Sequence, residues 1–89
     1  MVIPSLIAEF LKERVEDNLS LIRYLSRDIG EMNRFREMCQ EDWESEEIIR
    51  HIIFMENENI QDLRREIERD RKTIREYGKR RTAEGPTGI

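Results

Sequence analysis

The chain has 89 residues, 37% of them hydrophobic and 40% charged, and sixteen Lys+Arg against twenty Asp+Glu leave a net charge of −4. A chain this short makes one small domain with a thin core. Its two prolines and four glycines, mostly near the ends, exclude loop-rich and collagen-like folds, and its single cysteine excludes an internal disulfide framework.

The segment 1–4 reads as a lead-in. Met1-Val2-Ile3-Pro4 lacks the basic start of a secretory signal. No apolar run approaches the roughly 20 residues of a bilayer span, so no membrane association is expected. The lone Cys39 points to a reducing, intracellular compartment, cytoplasmic rather than nuclear.

From Pro4 to Gly78 the only conformational breaker is Gly30, and Leu, Ile, Glu, Arg and Met fill the rest, all good or workable helix formers. A first helix over about 5–40 can start with Pro4 in its first turn or Ser5 as its cap. Along it Val15, Ile22 and Ile29 hold heptad position a, while Leu11, Leu25, Met32 and Cys39 hold d. Asn18 at d and Arg36 at a interrupt the stripe. Gly30 either weakens this helix or marks a kink at a close helix crossing.

The phase of the repeat changes within Gln40-Glu41-Asp42-Trp43-Glu44-Ser45. Ser45 followed by Glu46 and Glu47 looks like an N-cap with carboxylates in a first turn, where the helix dipole is positive. A turn here predicts a second helix over about 46–80; the competitor is one long helix with a stutter.

In that second helix Ile53, Ile60, Ile67 and Ile74 stand seven apart, with Ile49, Leu63 and Tyr77 at d positions and Glu56 and Asp70 intruding at two others. Chain reversal near residue 45 would bring Asn18 within a turn of Asp70, and Arg36 within a turn of Glu56, giving buried charge nearby partners. Parallel in-register pairing would instead oppose Glu56 to Glu56 and Asp70 to Asp70. The tail 82–89 has no periodicity and is expected to be disordered.

The fold expected is therefore all-α: an antiparallel, coiled-coil-like helical hairpin over 5–81. Ile48, Ile49, Ile52, Ile53, Phe54 and Met55 make the segment 48–55 apolar on more than one face, with Phe35, Met38 and Trp43 at the same end. Leu6, Ile7, Phe10, Leu19 and Leu21 lie off or beside the first seam. Two helices cannot cover all of this, so two hairpins should dimerise into a four-helix bundle. The expected self-association surface is Phe35, Trp43, Ile48, Ile49, Ile52, Ile53, Phe54 and Met55. A different protein could cover the same patch, and a buried strand over 48–55 is the remaining alternative.

Chemistry is sparsely supplied. His51 is the only histidine and has no second His or Cys at helical spacing, Cys39 continues an apolar stripe, and no glycine-rich phosphate loop occurs. No catalytic residue, metal, cofactor or small-molecule substrate is expected. The primary function read from the residues is a non-catalytic interaction or scaffold protein acting as a homodimer.

Charge suggests a second function. Residues 1–63 carry a net −8 and residues 64–89 a net +4. Arg64, Arg65, Arg71, Lys72, Arg75 and Lys79 fall on the outer arc of the second helix. Such a stripe is either a solvated face, paired internally (Glu68 with Lys72, Lys72 with Glu76) or with Glu9, Glu13, Glu16 and Asp17 across the hairpin, or a contact surface for an acidic protein, or a track for a nucleic-acid backbone. Duplex RNA is recognised mainly by shape. Small viral silencing suppressors bind it with such architecture, although no motif here identifies one of their families, and the acidic remainder of the chain opposes phosphate.

Overall fold

The computed structural model describes residues 4–39 and 41–84. They form two antiparallel α-helices, α1 (Pro4–Met38) and α2 (Trp43–Glu84), and no strand occurs among the described residues. The segment 48–55 is helical throughout. The hairpin measures 72 × 20 × 14 Å with a radius of gyration of 20.2 Å, against about 12 Å for a compact chain of this length. So slender a rod has one line of interior, the contact between its helices.

That line follows the heptads. Leu11 and Val15 on α1, with Ile49, Ile60 and Ile67 on α2, are buried, and Ile22, Leu25, Ile29, Met32, Ile53, Leu63, Ile74 and Tyr77 are half-buried. A period of 3.5 residues keeps one stripe of each helix facing the other over this length, as in coiled coils. Gly30 sits within an unbroken α1, and a Cβ added there would meet nothing within 4 Å. It marks neither a break nor a close crossing.

The chain reverses earlier than the residue pattern suggested. The Cys39 amide bonds the Arg36 carbonyl at 3.1 Å and the Asp42 amide bonds the Cys39 carbonyl at 3.0 Å, closing α1 in a tight turn. Asp42, not Ser45, then caps α2. Its Oδ1 accepts the Ser45 amide at 3.3 Å and its Oδ2 accepts the Ser45 hydroxyl at 2.7 Å. Its carbonyl accepts the first intrahelical bond, from the Glu46 amide at 3.0 Å. A carboxylate satisfies the free N–H groups of a first turn and also gains from the helix dipole, so Asp42 takes the position ahead of Ser45. These bonds hold the Asp42 carboxyl below its ordinary pKa, the Ser45 hydroxyl contributing most.

Helix α2 therefore begins at Trp43 rather than 46 and continues through 82–84, beyond its expected end. Helix α1 stops at Met38 rather than 40. Residues 1–3, Gln40 and 85–89 lie outside the described residues, and with them most of the lead-in and of the tail expected to be disordered.

Moving the reversal moves every pairing. Position 14 of α1 lies level with position 70 of α2, and position 28 with 56, about a common midpoint at residue 42. Asp70 meets Arg14 rather than Asn18. Arg36 meets Glu46, at 3.6 Å, rather than Glu56.

Candidate interaction surfaces

The polar residues inside the seam have three different outcomes. Asp70, only 4% exposed, receives a two-pronged bond from Arg14, whose Nε lies 2.8 Å from Oδ2 and whose Nη2 lies 2.6 Å from Oδ1. The same Nε lies 3.1 Å from Glu66, and the guanidinium stands 5.5 Å over the Phe10 ring. Arg14 holds the Asp70 carboxyl below the usual carboxylate range, as a forked, charge-assisted contact should. The second outcome is a like-charged meeting. Glu56 faces Asp28, its Oε2 is buried with no hydrogen-bond partner among the described residues, and its pKa is pushed up to about 7 by the hydrogen bonding to Asp28 that a proton would allow, by burial and by the Asp28 charge. Asn18 is the third: its Nδ2 is buried with no hydrogen-bond partner among the described residues.

Outside the seam, much apolar surface stays in water. Among the described residues, eleven large apolar side chains, from Leu21 at 44% to Met38 at 80%, are exposed, against five that are buried. The surface expected from the sequence divides accordingly. Phe35, Trp43, Ile48, Phe54 and Met55 are exposed, and Ile52 is half-buried. Ile49, 5% exposed, belongs to the hairpin's own core, and Ile53, half-buried at position a, belongs to the same seam. They are already spent on intrachain packing because each continues the a/d stripe that α1 covers.

A second apolar line runs along α1 beside its seam, at heptad positions g and c. Ile7 and Phe10, Leu21 and Tyr24, and Phe35 and Met38 form three pairs of exposed residues, repeating every 14 residues. Charged pairs, Arg14 with Asp17 and Asp28 with Glu31, separate them. Several of these residues stand out singly in the sequence as apolar positions off the seam; the 14-residue spacing is the signal that connects them. On α2 the same face is apolar only near the turn, at Ile48, Ile52 and Met55. Farther along it is polar: Leu21 shares a groove with Asn59, Asp62 and Glu66, and Ile7 shares one with Thr73 and Glu76.

The basic arc lies on the opposite flank and outer side of α2. Arg64, Arg65, Arg71, Lys72 and Arg75 are exposed, and the side chain of Lys79 lies outside what is described. Arg65 bonds Asp62 at 2.8 Å. Among the described residues Arg64, Arg71, Lys72 and Arg75 make no ion pair, either with Glu68 and Glu76 along the helix or with the acidic residues of α1, where Glu9 pairs locally with Lys12 at 3.6 Å. The internal pairing considered for this arc is therefore absent among the described residues.

His51 is exposed and Cys39 is half-buried beside the turn. No group of three metal-ligating side chains occurs among the described residues, and no helix is long and apolar enough to cross a membrane. Comparison with protein families, curated proteins and solved structures returns no match.

Proposed function

We propose that this chain is a non-catalytic scaffold that works by self-association, two hairpins pairing through exposed apolar surface into a four-helix bundle. The imbalance between outward-facing and buried apolar side chains carries this reading. Two helices enclose a single seam, and exposed apolar area of this extent marks interaction sites in soluble proteins. Sedimentation equilibrium tests it: the wild type should sediment as a dimer at micromolar concentration. Ile48→Glu, at a residue 60% exposed and off the seam, should weaken association at least tenfold while leaving the chain helical. A wild type that is monomeric at 100 µM removes the proposal.

A second reading rests on the free cations of α2. Arg64, Arg71, Lys72 and Arg75 are exposed and make no ion pair among the described residues, which suits phosphate contacts, and an acidic protein surface would suit the same arc. For duplex RNA, binding to a 20-bp fragment should fall steeply between 50 and 200 mM salt, and the triple variant R64A/R71A/R75A should bind more weakly with a shallower salt slope. Absence of binding at 50 mM salt eliminates RNA and leaves the acidic protein.

A further inference from the structure

Resting on the self-association reading, we infer that the second copy docks on the g/c face of α1 and runs antiparallel to it, about a two-fold axis level with Leu21 and Tyr24. The three apolar pairs are symmetric about the midpoint between residues 22 and 23. An antiparallel copy centred there sets Leu21 against Tyr24 and the Ile7–Phe10 pair against Phe35–Met38, so every apolar pair meets an apolar pair. A self-complementary patch of this kind is what a two-fold interface demands.

Charge separates this arrangement from its parallel alternative. Parallel in-register pairing would also stack the apolar pairs, but it would oppose Arg14 to Arg14, Asp28 to Asp28 and Glu31 to Glu31. Antiparallel pairing brings Arg14, whose side chain is 40% exposed while it holds Asp70, level with Glu31 of the second copy. One like-charged level remains, Asp17 against Asp28, where the parallel form has only like-charged ones. The ends also match. Ile48, Ile52 and Met55 widen the apolar face near the turn, which the antiparallel copy meets with Leu6, Ile7 and Phe10, all exposed.

The area suffices. From Ile7 to Met38 the face is about 46 Å long at 1.5 Å per residue and about 10 Å wide. That is roughly 500 Å² per copy, or about 1,000 Å² for the pair before the turn-end residues are added, the lower bound for a specific interface.

Pulsed electron-electron distance measurement on nitroxide-labelled full chain tests the inference, in a Cys39→Ala background with one added cysteine. Ser20→Cys and Arg34→Cys lie at equivalent outer positions of α1, both exposed. The antiparallel pair separates the two labels along the axis by about 8 Å at position 20 and about 35 Å at position 34. A short distance at 20 with a distance of 35 Å or more at 34 supports it. Equal distances at both positions mean parallel packing, and long distances at both mean docking through another face; either overturns the inference while self-association stands. No dipolar coupling at either position, with a monomeric mass, overturns both.

Discussion

Glu56 and Asp28 face each other across the helix seam, two carboxyls at one level with no basic side chain paired to either among the described residues. Asp28 is the charged group on α1 that acts on Glu56, and the flanking seam positions of α2, Ile52, Ile53 and Ile60, are apolar. This meeting favours the protonated form of Glu56. Because the folded-state pKa of Glu56 rises from 4.5 to about 7, the folded chain binds more protons than the unfolded one in that window. Stability should therefore fall as pH rises from 4.5 to 7, then level off. Glu56→Gln supplies an N–H donor for Asp28 and removes the charge. It should match the wild type near pH 4.5 and exceed it by about 1 kcal/mol above pH 7, a value discounted for a group that is only half-buried. Urea denaturation at a series of pH values checks this; parallel curves for the two proteins would refute it.

The Arg14–Asp70 fork behaves oppositely. Asp70 titrates below its ordinary value, so the pair contributes fully above the unfolded-state pKa and its contribution is lost as pH falls through the folded one. Arg14→Ala leaves a 4%-exposed carboxylate without its donor. It should lower Tm at pH 7 by roughly 5–10 °C, because an uncompensated buried charge is the costly outcome. The double variant Arg14→Met with Asp70→Leu should regain most of that loss. Thermal melts followed by circular dichroism distinguish the two.

Asp42 sets where the chain turns. Asp42→Ala removes the acceptor of the Ser45 amide and hydroxyl, and should lower Tm by a few degrees and fray α2 at Trp43. Asp42→Asn retains an acceptor and should recover most of the loss. Amide hydrogen exchange at residues 43–46 reads the fraying directly, and unchanged protection there would show that another group caps the helix.

Gly30 has open space where a Cβ would stand, within helical backbone. Gly30→Ala should therefore stabilise the hairpin by about 0.5–1 kcal/mol through reduced unfolded-state freedom and better helix propensity. A loss of stability in chemical denaturation would mean that a second molecule occupies that space.

Much of the fold is legible in the residues because it depends on periodicity. Ile53, Ile60, Ile67 and Ile74, seven apart, define the inner face of α2, and Leu11, Val15 and Ile22 that of α1; repeats of this kind leave an antiparallel hairpin with one seam as the simplest solution. The reversal point is less legible. Asp42 and Ser45 are both competent caps three residues apart, and local pattern does not rank them. That small difference decided whether Glu56 would meet Arg36 or Asp28.

Composition and heptad spacing alone determined that the chain is helical and that it carries more apolar surface than two helices enclose, and they favoured a fold-back over one long helix without deciding it. Only the tertiary arrangement decided which residues that surplus comprises. Ile49 and Ile53 go to the core while Leu21, Tyr24, Phe35 and Met38 stay outside, and Asp70 is neutralised by Arg14 while Glu56 is left with another acid. The physical reason is that the local helical pattern depends on residues within a turn or two. The meeting of side chains 28 or 56 positions apart depends on the register of two rods, and a slip of a single turn re-pairs every charge between them.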